Sequence, residues 1–171
     1  MKKNNSKRNL LLLIFGLISL KFLSKTKTKF DLSKFNIINK KIFSPYGIRS
    51  GSPHFGIDFV AKSGTKILLI NGGVVEKIET ICKVTNPKTK GCGGGWGNYI
   101  TINHGNNIKT RYAHLSKLYV KQGDIIKKPT IIAETGDTGN STGSHLHWEY
   151  LENNKRINGT GKENNYFNFV I

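Results

Sequence analysis

Cysteine is scarce in this chain: Cys82 and Cys92 are the only two in 171 residues. With no second pair, they are a weak signal for a structural zinc site. In an exported protein a pair at this spacing reads more readily as a disulfide, with free thiols as the alternative. Acidic residues are also few, ten against 27 Lys and Arg, for a formal net charge of +17. That excess raises the question of nucleic acid, but no zinc-finger, helix-turn-helix or RNP-like pattern accompanies it. Charge alone speaks only of partners in general. The glycine-rich stretch 91–97 lacks the G-K-[ST] ending of a phosphate loop, which argues against a nucleotide site. No segment shows a sustained 3.6-residue period with caps, and no apolar run reaches the ~20 residues of a standard membrane-spanning helix.

The charge that is present is unevenly placed. Residues 1–29 hold eight Lys and Arg and no acid, while the rest holds nineteen basic and ten acidic residues. The cationic start, Met1 to Asn9, leads into an apolar stretch from Leu10 to Leu20 broken only by Gly16 and Ser19. This is the form of a secretory signal. No clean small-x-small cleavage site follows, so an uncleaved N-terminal anchor stays open, as does a short buried helix. The chain divides into 1–24 as signal peptide or membrane anchor, 25–41 as linker, and 42–171 as one functional domain. Export to the periplasm, cell surface or medium is the expectation, with membrane attachment through the N-terminus as one form of it.

From residue 42 onward the sequence is short apolar runs punctuated by glycine, 19 in the whole chain. Two runs flank Asn71-Gly72, a strong short-range hairpin signal. Tyr99 to His104 alternates into a turn, and Thr110 to Leu115 returns from it. Val120 to Ile126 and Thr130 to Ala133 follow. The fold class expected is mostly β, with antiparallel sheets.

Chemistry concentrates in three phrases: His54-Phe-Gly-Ile-Asp58, Tyr112-Ala-His114-Leu, and His145-Leu-His147-Trp-Glu149. On a strand, a period of two sets His145, His147 and Glu149 on one face and Leu146, Trp148 and Tyr150 on the other. His54 and Asp58 also share parity, and Gly56 between them allows close backbone approach. A catalytic zinc needs about three N or O ligands and an open position for water. The residues suffice for that and leave histidines to move protons. Parity alone does not say which of His145 and His147 would bind metal. The lead-in loop from Gly136 to Ser144 is a candidate for presenting backbone N–H groups to an anion. His104, in Asn-His-Gly, reads as a structural turn residue.

These phrases resemble the M23 family of zinc metallopeptidases, the lysostaphin-type cell-wall endopeptidases. Arg49-Ser-Gly-Ser-Pro-His54-Phe-Gly-Ile-Asp58 is similar to the first family motif. Gly95-Trp-Gly-Asn-Tyr-Ile-Thr-Ile-Asn-His104-Gly with Thr110-Arg-Tyr-Ala-His114-Leu is similar to the middle section. Gly136-Asp-Thr-Gly-Asn-Ser-Thr-Gly143-Ser-His145-Leu-His147-Trp-Glu149 is similar to the closing motif. The likeness covers about residues 42–152, and order and spacing agree across all three.

The resemblance implies a zinc ion held by His54, Asp58 and His147, with His114 and His145 as the catalytic histidines. It also implies an open groove with the metal on its floor, and hydrolysis of peptide bonds in peptidoglycan stems or cross-bridges. Departures are small: Trp148 where Phe is common, Pro129 at a turn, and an enlarged loop from Cys82 to Gly95. That loop is expected to form a groove wall, with Trp96 either at its edge or in the core. A non-catalytic wall binder, or an activator of other hydrolases, is the alternative function.

Overall fold

The computed structural model describes residues 32–83 and 91–171. The expected signal or anchor, 1–24, lies outside them, as does most of the 82–92 loop. Among the described residues no helix is long and apolar enough to cross a membrane. Fifteen short strands and three 3-10 turns make up the described secondary structure. In chain order the strands are β1 (Ile37–Ile38), β2 (Ile42–Ser44), β3 (Gly47–Arg49), β4 (Ser52–His54), β5 (Ile57–Val60), β6 (Lys66–Leu69), β7 (Gly73–Glu79) and β8 (Tyr99–Gly105). They continue as β9 (Ile108–Ala113), β10 (Leu115–Leu118), β11 (Ile125–Ile126), β12 (Thr130–Thr135), β13 (His145–Glu152), β14 (Lys155–Ile157) and β15 (Phe167–Val170).

The fold is mostly β, with antiparallel pairing throughout and no closed barrel. A large sheet runs β11-β7-β8-β9-β13-β5-β2, with β14 added beside β13. A second sheet runs β1-β15-β6-β12-β10, and β3-β4 forms a separate hairpin. Ile37 and Ile38, within the expected linker, pair with Val170 and Phe169, so the end of that span belongs to the sheet.

Alternation decides which face is buried. On β13, Leu146, Trp148 and Tyr150 point into the core. On β5, Ile57 and Phe59 do the same while Asp58 takes the opposite face. They meet Ile67 and Leu69 of β6 and Phe167 and Phe169 of β15 from the second sheet. Phe167 has edge or tilted ring contacts with Phe59, Tyr112 and Trp148, at centroid distances of 5.5, 5.6 and 5.8 Å. Each such buried aromatic contributes about 1.5–3 kcal/mol by area removed from water. This shared core holds the large sheet rigid, so its other face can act as a floor.

The β8–β9 hairpin forms as expected, around Asn106 and Asn107 at φ 49° and 62°. Both central residues are left-handed, as a two-residue hairpin turn requires, and Asn tolerates that conformation. The Asn71-Gly72 step is different. The apolar runs beside it do not pair: β6 lies in the second sheet between β15 and β12, and β7 lies in the large sheet between β11 and β8. The chain crosses between layers there. Gly72 is needed because a Cβ would stand 2.5 Å from the Ile126 carbonyl oxygen, a close approach rather than a turn conformation.

Candidate metal centre and cleft

Strand register builds the site. His147 of β13 stands opposite Asp58 of β5, and on its other side opposite Ala113, the residue before His114. His54 ends β4 and reaches the same point across Phe55 and Gly56. Gly56 must lack a side chain, since a Cβ there would lie 2.4 Å from Cε1 and 2.5 Å from Nε2 of His147. His114 sits at the corner where the chain leaves the large sheet for the second one. Its φ is 61°, and its N–H donates to the Trp96 carbonyl at 2.8 Å.

Three ligand atoms converge. His147 Nδ1 is 2.8 Å from Asp58 Oδ1, His54 Nε2 is 3.1 Å from the same oxygen, and the two nitrogens are 3.2 Å apart. All three residues are buried. The outer nitrogens are already committed. His54 Nδ1 donates to the Pro45 carbonyl at 2.8 Å, and His147 Nε2 faces Glu149 Oε1 at 3.4 Å. With the outer nitrogens so engaged, the inner nitrogens of both rings face the Asp58 oxygen. Two ring nitrogens and a carboxylate oxygen gathered at these distances can hold a cation between them, and two imidazoles with one carboxylate suit zinc. These residues form a His-Asp-His metal-binding set.

Surrounding charges favour positive charge at this centre. Burial works to raise the Asp58 pKa, but the hydrogen bond from His147 and the nearby histidines outweigh it and bring it down to about 2. Burial opposes the charged form of His147, yet its contacts with Asp58 and Glu149 raise its pKa overall. Asp58 Oδ2 accepts from Arg49 at 2.9 Å. Glu149 is buried and accepts from Arg111 at 2.7 Å and from Trp96 Nε1 at 2.8 Å. Burial pushes against its charge, but His147 and Arg111 hold its pKa below the ordinary value.

His114 and His145 stand beside this set, with ring centroids 4.7 Å apart. His114 Nδ1 donates to the Thr138 carbonyl at 2.8 Å, and His145 Nδ1 to the Gly143 carbonyl at 2.7 Å. Each therefore presents Nε2; that of His145 is 3.7 Å from Asp58 Oδ1. Burial, then the neighbouring His145 and His147, lowers the His114 pKa to about 4, so its ring is neutral near pH 7.

The loop from Gly136 to Ser144 supplies carbonyls to the cleft histidines. Thr138 and Gly143 orient the two histidines, while the Asn140 N–H is spent on the Gly95 carbonyl at 2.8 Å. His104 stays out of the cleft. Its Nδ1 donates to the Gly72 carbonyl and its Nε2 lies beside Thr110 Oγ1, both at 2.8 Å. Trp96 is half-buried and lines the cleft with Phe43, Phe55, Thr142 and Arg156. Cys82 and Cys92 are joined as a disulfide at the foot of that wall.

The sequence by itself gives Arg111 and Glu149 no role. Glu149 shares parity with His147, and Arg111 is its direct partner on β9. Parity was the available signal for Glu149; the pairing needed the register.

Residues 52–159 match peptidase family M23. The chain belongs to that family. The M23 domain is similar to the peptidoglycan DD-endopeptidase ShyA of Vibrio cholerae, 31% identical over 134 residues, covering 78% of this chain and 26% of that protein. The catalytic domain of the prophage-encoded M23 protein EnpA from Enterococcus faecalis has a TM-score of 0.60 at 27% identity, over 74% of this chain and 95% of that one. A zinc-containing peptidase from Vibrio cholerae has a TM-score of 0.57 at 32% identity, over 72% of this chain and 38% of that one. The chain spans less than a third of the length of the curated relatives it matches.

Proposed function

We propose that the M23 domain is a zinc-dependent endopeptidase that hydrolyses peptide bonds in the stem peptides or cross-bridges of bacterial peptidoglycan. The observation that carries this is the convergence of His54 Nε2, Asp58 Oδ1 and His147 Nδ1 beside two further histidines on the floor of an open cleft. ShyA, a peptidoglycan DD-endopeptidase by name, supports the substrate class.

His54, Asp58 and His147 would hold the ion. Bound zinc would supply a Lewis acid for the scissile carbonyl and lower the pKa of a water toward ~7. Arg49 on Asp58, the Pro45 carbonyl on His54 and Glu149 on His147 fix the ligands' orientation. Of His114 and His145, one takes the proton of the attacking water. The other donates to the oxyanion or to the leaving amine. The neutral state of His114 near pH 7 leaves its Nε2 free to accept, and the carbonyl behind each ring keeps that nitrogen aimed inward.

This substrate lies outside the cytoplasmic membrane, and residues 1–24 would provide the export signal or anchor. The deciding experiment is mass spectrometry of fragments released from purified peptidoglycans of different cross-bridge chemistry, alongside metal analysis. New peptide termini that require stoichiometric zinc are expected. Intact peptides with the wall material merely bound would leave a binder in place of an enzyme.

A further inference from the structure

Two carboxylates lie behind the cleft, and each has its own arginine. Asp58 has Arg49 at 2.9 Å, and Glu149 has Arg111 at 2.7 Å. Glu149 Oε1 also accepts from Trp96 Nε1 at 2.8 Å and faces His147 Nε2 at 3.4 Å. A third guanidinium, Arg156, reaches the same oxygen only at 3.5 Å, and its side chain is 37% exposed. Of the three it makes the longest contact, to a carboxylate that Arg111 already holds at 2.7 Å. Placing it beside a site built for a divalent cation is unfavourable unless an anion joins it. Glu149 is already shared with Arg111 and Trp96, so a closer anionic partner for Arg156 is one that enters the cleft it lines.

Arg156 is also held in place. Its residue pairs with Leu151 across β13 and β14, and its carbonyl accepts from Tyr46 Oη at 3.2 Å. Its guanidinium lies 4.4 Å from the Phe55 ring centroid and 5.9 Å from that of Trp96, both cleft-lining. A planar guanidinium laid on an aromatic ring keeps its N–H edge free and loses little entropy on binding a carboxylate. From His147 it is reached across one oxygen, by contacts of 3.4 and 3.5 Å. An extended peptide at about 3.3–3.6 Å per residue covers that in roughly two residues.

We propose that Arg156 is a specificity-determining residue of the cleft, binding a free carboxylate on the substrate within about two residues of the cleaved bond. The substrate class is then a peptide acidic at that point rather than an amidated or all-glycine one. The inference rests on the endopeptidase reading above. A carboxylate of this kind is either a chain terminus or a side chain, and Arg156 would meet both with the same fork.

The test uses the zinc-loaded full chain and four peptides sharing one cleavable bond. Two differ as C-terminal acid or amide, and two as side-chain acid or amide near the bond. The parent should prefer one acid over its amide in kcat/KM, and the affected pair names the source of the carboxylate. Arg156→Gln should lower kcat/KM for that acid by about tenfold to a hundredfold, the scale of a charge-assisted hydrogen bond, and leave the amides near the parent. Arg156→Lys should restore part of the preference. A loss shared equally by all four peptides would make Arg156 structural and overturn the inference. So would a parent that cleaves acids and amides alike. A parent that cleaves none of them, nor any peptidoglycan, overturns the endopeptidase reading and this inference with it.

Discussion

At the scale of single residues, the centre depends as much on an absent side chain as on those present. Gly56 lets the β4–β5 connection pass directly under the His147 ring. In Gly56→Ala the new methyl would meet Cε1 and Nε2 of His147 and the Trp148 carbonyl oxygen, the last at 2.9 Å. Backbone lies on one side, so the imidazole must move. We expect overpacking of about 1–3 kcal/mol in metal-free stability. Zinc affinity should fall by at least the ~10–100-fold seen when a ligand's support is lost. Competition with a chelator and unfolding in EDTA would show the two effects separately, and parent-like affinity would mean the ring is not held as described. His114 and His145 should behave otherwise. Because His114 has a φ of 61°, Asn is the fitting replacement. His114→Asn and His145→Ala should each keep zinc and lose turnover by about 10²–10⁴-fold. A variant that loses the metal would mark that histidine as a ligand.

At the scale of elements, the cleft wall hangs on two loops that cross. Gly97 and Gly139 touch so closely that a Cβ on Gly139 would lie 2.2 Å from the Gly97 nitrogen. The Asn98 N–H donates to Thr138 Oγ1 at 2.9 Å. The disulfide anchors the far end of the first loop, so reducing it should loosen the wall without touching the ligands. Closing a loop of sequence separation 10 contributes about 3 kcal/mol. A Cys82→Ser/Cys92→Ser double variant should thus unfold roughly 6–12 °C lower. Its zinc content should match the parent, and zinc loss would put the cysteines in a metal role. The same crossings explain what could be read from sequence. β13 and the β8–β9 hairpin were legible because alternation and turn chemistry are local. The Asn71-Gly72 step carries a true glycine requirement, yet it links strands of different sheets. Which strands pair is decided tens of residues away, by Gly72 against Ile126 and by His104 against Gly72. In the same way, His145 and His147 share a parity, and only the register opposite Asp58 separates their surroundings.

At the scale of the whole molecule, the first and last of the described strands close on one another. Ile37 and Ile38 pair with β15, and the Lys40 ammonium lies within the same seam. It donates to the Phe167 carbonyl at 2.6 Å and to Asn168 Oδ1 at 3.2 Å, and sits 4.6 Å from the Phe167 ring centroid. Burial lowers its pKa from 10.5 to about 8, opposed only in part by Glu163. Below pH 8 the amine is charged in both folded and unfolded chains, and the folded state bears the cost of holding that charge away from water. Between about 8 and 10.5 the unfolded chain binds more protons than the folded one, so stability rises with pH. Above 10.5 the amine is neutral in both states and the cost is gone; it returns as pH falls back toward 8. The seam is half open to solvent, so the effect is screened and its sign is the prediction. Other lysines titrate in the same range, which makes a difference measurement necessary. Lys40→Met keeps most of the length of the side chain and removes the charge. The melting temperature of the parent minus that of the variant should climb from pH 7.5 to 10, at fixed zinc. Parallel curves would show that the Lys40 charge is not opposed by burial, and that the seam between the two ends of the fold is wetter than its contacts imply.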